Sequence, residues 1–246
     1  LLFSSSAITT GFLVPHMPIA KFEEALAIRI DHNDQDRESL GELLLNIGFC
    51  YLSIGKHEKA TSSLEEALKI FKTSSEKENT DMITKTIDAI GRVYDAQSKH
   101  DDALICYRES LRLRLQALGN HHLSIADSFD LMASVYQVKG ELNDAIRCIK
   151  EALNIRKKNL GEQNIEVGNT LFGMGVALCE AGKYAESVNF YKQALSVREQ
   201  CLGESSIEVA KTLHNIGSVL ALKRDYADAL TSWKNALSIY KEAGMD

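Results

Sequence analysis

The sequence predicts an all-α solenoid, in which short helical hairpins stack side by side. Three observations support this fold class. A pattern of small and large residues recurs every 42 or 43 positions, and within each unit the pattern has the spacing of helix faces. Proline, which breaks or kinks helices, does not occur between residues 20 and 246. Repeats of about 20 to 50 residues are typical of folds in which each unit covers the apolar face of its neighbour.

The first helix of each unit, called helix A, is identified by a small residue that we call the small site. Large apolar residues stand four and one positions before it, and an aromatic residue or leucine stands three positions after it. These residues share one face of a helix, and the small side chain allows another helix to approach closely. The small sites are Gly48, Gly91, Ala133, Gly175 and Gly217.

The second helix of each unit, called helix B, carries the complementary pattern. A small residue stands 12 positions after the small site, a large one at 16 and a small one at 19. The large residue at 16 is predicted to face the small site of helix A. In the five units it is Leu64, Tyr107, Ile149, Tyr191 and Trp233.

Two kinds of turn join these helices. Helix A is predicted to end in left-handed backbone, which glycine adopts most easily. The residues at this position are Gly55, Ser98, Gly140, Gly182 and Arg224. The similar stretches LGEQNIEV (160–167) and LGESSIEV (202–209) join one unit to the next. There, Gly161 and Gly203 are predicted to end helix B, and Ile-Glu-Val opens the next helix A.

The 42-residue unit resembles a known family through the stretches LRLRLQALGNHHLSIADSF (111–129) and SVREQCLGESSIEVAKTLHNIGSVL (196–220). They are similar to the tetratricopeptide repeat (TPR) array of kinesin light chains and light-chain-like proteins. The resemblance covers about residues 18–244. It implies a right-handed α-solenoid of TPR helix-turn-helix repeats, with about five full repeats and a partial N-terminal one. It also implies that the A helices line the concave groove.

The predicted organisation is a single TPR solenoid domain over residues 18–246, preceded by an irregular or truncated segment at residues 1–17. That segment is either a leader remnant or a degenerate repeat. Helix B of a partial repeat is expected at about residues 18–31, and TSSEKENTD (73–81) is expected to be an exposed loop. The full repeats are expected at about residues 39–79, 82–120, 124–162, 166–204 and 208–244.

Composition limits the partners and the compartment. The net charge is −6, without a lysine- or arginine-rich block, which argues against a nucleic-acid partner. No apolar run approaches the ~20 residues of a membrane-spanning helix, so no membrane partner is expected. Five cysteines, an odd number, occur without a CxxC motif. They indicate free thiols in a reducing, cytoplasmic compartment.

No constellation in the sequence predicts an enzyme. The stretch GVALCEAGKY (175–184) lacks the first glycine and the final Ser/Thr of a phosphate-binding loop. The pair His121-His122 has no further ligand at metal-binding spacing. We therefore expect neither catalysis, nor a cofactor, nor a metal.

A partner is expected in the concave groove, on helix A residues that the repeat pattern does not use for packing. Apolar residues near the start, an acidic middle and a second apolar patch favour an extended peptide or protein segment with a basic centre and apolar flanks. The predicted groove residues are Leu45, Asn46, Phe49, Lys85, Asp88, Arg92, Asp95, Asp127, Asp130, Asn169, Phe172, Val176, Lys211, His214 and Asn215.

Three hypotheses about function remain at this stage. The first is a non-enzymatic interaction scaffold, similar to kinesin light chains. The alternatives are a regulatory or sensor TPR domain of a larger signalling protein, and a structural subunit of a large assembly. The sequence leaves the oligomeric state open.

Overall fold

The computed structural model describes residues 37–74 and 79–244, and within these ranges it contains ten helices and no strand. The helices are α1 (Arg37–Ser53), α2 (His57–Ser74), α3 (Thr80–Ala96), α4 (His100–Leu118), α5 (Leu123–Val138), α6 (Leu142–Leu160), α7 (Ile165–Glu180), α8 (Tyr184–Leu202), α9 (Ile207–Leu222) and α10 (Tyr226–Glu242). Odd-numbered helices are A helices and even-numbered ones are B helices. The predicted all-α fold is confirmed.

The chain divides into two compact units, one ending at Lys99 and the other beginning at His100. Helices α1 to α3 belong to the first unit and α4 to α10 to the second. Within each unit, consecutive helices pack on one another. The predicted segment at residues 1–17, the helix at 18–31 and residues 75–78 of the predicted loop lie outside the described residues.

Contacts at the small sites confirm the predicted register. A Cβ atom added to Gly175 would lie 2.7 Å from Cδ1 of Tyr191, and one on Gly48 would lie 2.5 Å from Cδ2 of Leu64. The large side chain of helix B therefore packs directly on the glycine backbone of helix A. Ser187, fully buried at the first small position of helix B, donates a hydrogen bond to the Gly175 carbonyl at 2.7 Å, which ties helix B to helix A.

All five A helices end in the same hydrogen-bonded turn. In α7 the N–H of Gly182 donates to the carbonyl of Cys179, and the N–H of Lys183 donates to that of Leu178, at 3.0 and 2.8 Å. This is the Schellman arrangement, in which the residue after the helix is left-handed. Ser98 and Arg224 adopt this backbone with φ of 60° and 67°, although they are not glycine.

We expect Arg224→Gly to stabilise the protein by about 0.5–1 kcal/mol, the difference between two opposing backbone effects. A non-glycine residue in left-handed backbone carries a steric cost of roughly 1–2 kcal/mol, which exceeds the entropy that glycine loses on folding. The Arg224 side chain is exposed, so little packing is lost. Urea unfolding of the two proteins measures the difference, and a lower stability for the glycine variant would contradict this account of the turn.

The junctions between repeats follow the predicted pattern. Gly161 ends α6 with φ 81° and ψ 163°, and Gly203 ends α8 with φ 86° and ψ 155°, a backbone region open essentially only to glycine. The next helix is capped by the Asn164 side chain, which accepts a hydrogen bond from the N–H of Glu166 at 2.8 Å. Val167 and Val209, in the first turns of α7 and α9, are buried.

Candidate functional site

Arg156 of α6 is a buried cation that connects two A helices. Its guanidinium lies 2.9 Å from Asp127 Oδ1 and 2.6 Å from Asp130 Oδ2, both on α5. It also donates to Thr170 Oγ1 on α7 at 2.9 Å. The arginine is 6% exposed. Arg156 therefore balances acidic charge on the helix before it and holds the helix after it.

The titration of this group reflects both burial and charge. Burial lowers the pKa of Arg156, but Asp130 and Asp127 outweigh this effect and hold its pKa above the usual value. Burial also raises the pKa of Asp130 above its ordinary 3.8, although Arg156 acts in the opposite direction. Asp130, whose side chain is 13% exposed, is thus a largely enclosed carboxylate whose charged form depends on Arg156.

Arg198 of α8 occupies the equivalent position in the next repeat, with different partners. It donates to Asn169 Oδ1 at 2.9 Å and to Thr212 Oγ1 at 2.8 Å. Phe172 stands at the position equivalent to Asp130, and its ring centroid lies 4.3 Å from the guanidinium carbon. Burial lowers the pKa of Arg198 to about 10, and the Glu208 carboxylate only partly offsets this. A cation–π contact and neutral acceptors thus replace two carboxylates.

The two arginines fix side chains that remain accessible on the A helices. Asp127 keeps 46% of its side chain exposed while one oxygen accepts from Arg156. Asn169 is exposed, and because its Oδ1 accepts from Arg198, its amide N–H groups are left to donate outward. Lys211 stands at the same position of α9 and is 57% exposed. We call these three residues, one in each of α5, α7 and α9, the A-helix row.

The other predicted residues of the second unit are placed unevenly. Val176 is half-buried and packs against a core cluster that includes Tyr191. Phe172 is also half-buried, 5.2 Å from Tyr191 in an edge-to-face arrangement. His214 is exposed, whereas Asn215 is buried and donates to the Lys211 carbonyl at 3.0 Å.

In the first unit, the predicted residues are more enclosed than expected. Leu45 and Asp88 are buried, at 5% and 8% exposure. Lys85 is half-buried and forms an ion pair with Asp81 at 2.6 Å. The four remaining predictions in this unit are half-buried: Asn46, Phe49, Arg92 and Asp95.

The expectation of an open acidic middle therefore needs correction. Asp88 and Asp130 are enclosed rather than displayed, and Asp130 is neutralised by Arg156. Leu45 and Asn215 likewise point into the protein. Two acidic groove residues were predicted in the second unit, Asp127 and Asp130. The side chain of Asp127 is 46% exposed, and it also contacts Arg156.

Sequence reasoning missed the buried arginines, although the repeat pattern contains their signal. The helix B position equivalent to Arg156 holds, in repeat order, Phe71, Arg114, Arg156, Arg198 and Tyr240. The three arginines meet hydroxyls that stand at one equivalent position of the next helix A. Arg114 donates to Ser128 Oγ at 2.5 Å, as Arg156 does to Thr170 and Arg198 to Thr212. An arginine that recurs at one position of three consecutive repeats, within an apolar helix pattern, would have indicated a buried contact.

Two features are absent from residues 37–74 and 79–244, the part of the chain that the structure describes. Over those residues, no three histidine, cysteine or acidic side chains come together in an arrangement that could hold a metal ion. Within the same ranges, no helix combines the length and apolar character needed to span a membrane.

Comparison with solved structures shows the fold. BtubC (BKLC) from P. vanneervenii matches with a TM-score of 0.80 and 20% identity, over 92% of this chain and 91% of that one. TPR-like repeats from Podosopora anserina, described as those of a putative kinesin light chain, match with a TM-score of 0.73 and 16% identity, over 87% and 100%. YrrB, a TPR protein with an unusual peptide-binding site, matches with a TM-score of 0.53 and 17% identity, over 93% and 95%.

Sequence comparison identifies the family. No match is found among curated proteins. Family models described as tetratricopeptide repeat match residues 41–73, 81–158, 124–200 and 209–243. These matches span most of the chain and coincide with the hairpins described above. The chain therefore belongs to the tetratricopeptide repeat family and is an all-α TPR solenoid.

Proposed function

We propose that this chain is a non-enzymatic scaffold that binds an extended peptide or protein segment along α5, α7 and α9. The A-helix row carries the proposal. Its three polar side chains recur at one position per repeat, and buried arginines orient two of them. Oriented side chains lose little freedom when a ligand binds, which favours affinity. The TPR fold shared with kinesin light chain-like repeats and with peptide-binding YrrB supports this role.

The chemistry of the row specifies what the segment presents. Asp127 is half-exposed and uses Oδ1 to accept from Arg156, so its second oxygen suits a backbone N–H or a basic side chain. Asn169 offers N–H donors to a peptide carbonyl. Lys211 suits a carbonyl or a carboxylate. We propose that apolar side chains of the segment contact Val176 and the exposed part of Phe172 beside the row.

A cytoplasmic location fits the state of the thiols. All five cysteines are free, and Cys201 is exposed. Exposed free thiols persist in a reducing compartment. We therefore propose that the scaffold is cytoplasmic.

Asn169→Asp tests the row without removing the support of Arg198. The carboxylate still accepts from Arg198, as Asp127 does from Arg156, but it has no N–H to donate. For peptides selected from a random library on the full-length chain, we expect Kd to rise about five- to tenfold, because one hydrogen bond is lost. Fluorescence anisotropy with the labelled peptides measures the change.

The matched control is Gln193→Glu, the same amide-to-acid change at an exposed position of helix α8. It should leave Kd unchanged, which separates a local effect from a general charge effect. Equal affinities of wild type and Asn169→Asp for every selected peptide would refute binding at the row. Thermal unfolding of the Asn169→Asp protein should show no loss of stability, since the new carboxylate faces a buried cation.

A further inference from the structure

Helix α10 exposes an apolar face that has no counterpart on the other B helices of the second unit. Tyr226, Leu230, Trp233 and Leu237 are exposed by 65%, 52%, 36% and 51%. With half-buried Tyr240, they recur at intervals of three and four positions and therefore form one continuous line along the helix. We call these five residues the α10 stripe.

The preceding repeat shows which kind of helix packs against such an apolar face. In the preceding repeat, Val188 and Tyr191 of α8 correspond to Leu230 and Trp233, and both are buried. They form a core cluster with residues of α9, namely Ile216, Val219 and Leu220. The α10 stripe is thus the same surface that α8 offers to an A helix. We infer that the α10 stripe binds an amphipathic helix of a partner protein, with the apolar pattern of an A helix and an acidic edge.

A shallow groove marks the seat of that helix. It is lined by His214 of α9 and by Trp233, Ala236, Leu237 and Tyr240 of α10. His214 corresponds to Phe172, which contacts Tyr191 in the preceding repeat. The Trp233 N–H donates to the His214 carbonyl at 3.2 Å and fixes the indole at the edge of the groove.

Two lysines beside the α10 stripe indicate which charge the partner helix carries along its facing edge. Lys234 and Lys241 directly follow Trp233 and Tyr240 in the sequence, and both are exposed. Ala229 and Ala236 lie on the opposite edge of the stripe and are buried. Helical periodicity therefore places the two lysines along the free edge. A helix with acidic residues at its facing edge complements them.

The same lysines disfavour a second copy of this chain as the occupant. In an antiparallel pair of α10 helices, related by a two-fold axis perpendicular to them, identical edges would meet. Lys234 and Lys241 of one copy would then face the same residues of the other, and like charges would repel.

Two peptides from the chain's own A helices serve as probes. Residues 164–181, with capped ends, carry Glu166 and Glu180, for a charge of −2. Residues 206–224 carry Glu208 against Lys211, Lys223 and Arg224, for a charge of +2 with neutral histidine. The peptides share the A-helix apolar pattern and differ in charge. Neither contains tryptophan, so the fluorescence of Trp233, the single tryptophan of the chain, reports binding alone.

The expected result is binding of the 164–181 peptide with a blue shift of Trp233 emission. The 206–224 peptide should bind roughly three- to tenfold more weakly at low salt, and added salt should reduce the difference. Leu230→Glu/Leu237→Glu should abolish binding, and Lys234→Glu/Lys241→Glu should reverse the preference. Ile105→Glu, at a side chain 63% exposed on α4, should change neither.

Several results would overturn the inference. The inference is wrong if neither peptide binds. It is also wrong if the Leu230→Glu/Leu237→Glu protein still binds the 164–181 peptide. A dimer in light scattering that Leu230→Glu dissociates would assign the face to a second copy. Protection of Trp233 from acrylamide quenching in the free protein would mean that the chain covers the stripe itself. Asn169→Asp should leave peptide binding to the stripe unchanged, which distinguishes this site from the A-helix row.

Discussion

Replacing Arg156 by methionine is expected to destabilise the protein by about 3–5 kcal/mol, the usual cost of removing one partner of a buried ion pair. The arginine is 6% exposed and its partner Asp130 is enclosed beside it. Methionine fills much of the volume but leaves the carboxylate without its counter-charge. Urea unfolding monitored by circular dichroism gives the difference in unfolding free energy.

The unfolding free energy that Arg156→Met loses relative to wild type should depend on pH. The folded-state pKa of Asp130 already lies above its ordinary 3.8, and the loss of Arg156 raises it further. A group with a raised folded pKa contributes stability below its unfolded pKa, and this contribution is lost as pH rises through the folded pKa. The Arg156→Met protein should therefore lose less stability relative to wild type at pH 4 than at pH 7.

Arg198→Met is the matched control in the next repeat. Arg198 contacts Asn169 and Thr212 where Arg156 has carboxylates, so its removal strands no buried charge. We expect a smaller cost, about 1.5–3 kcal/mol, from the lost hydrogen bonds of the charged guanidinium, with a weaker dependence on pH. Equal losses for the two variants at pH 7 would contradict the assignment of Asp130 as a carboxylate that depends on Arg156.

Gly175→Ala is expected to destabilise the protein by about 1–2 kcal/mol, because overpacking outweighs the stronger helix preference of alanine. The new methyl group would lie 2.7 to 2.9 Å from three ring atoms of Tyr191. Tyr191 is 1% exposed and has little room to move. Overpacking costs about 1–3 kcal/mol and occasionally more, and the helix preference of alanine returns up to about 1 kcal/mol.

Gly173→Ala provides the comparison within the same helix. A Cβ at Gly173 has no atom within 4 Å, so only the helix preference remains. We expect a gain of about 0.5–1 kcal/mol. Chemical unfolding of both variants is the test, and similar stabilities would mean that α7 is not held against α8 through Gly175.

The fold followed from the sequence because its determinants are local and periodic. Gly175 with Tyr191 and Gly48 with Leu64 stand at fixed spacing, and their contacts lie within one hairpin. The junction glycines, such as Gly161, require a backbone that other residues avoid. Each of these signals is present within the sequence of a single repeat.

The orientation of polar side chains was less predictable because it depends on neighbouring helices. Asp130 was expected to face a partner, yet Arg156 on the following helix B binds it inside the protein. Phe172 stands at the equivalent position and instead stacks on Arg198. Whether such a side chain is displayed or enclosed depends on the residue opposite it, which the pattern of small and large residues does not constrain.

The central claim is that a ligand segment lies along the A-helix row, and the side-chain amide of Asn169 reports on it most directly. In a ¹⁵N-labelled sample of the 27.3 kDa protein, the signal assigned by its loss in Asn169→Asp is followed during titration with a library-selected peptide. We predict that this signal shifts in step with binding, together with backbone signals of α5, α7 and α9. If this signal stays unchanged at saturation and the shifts are confined to the B helices α6 and α8, the claim is contradicted.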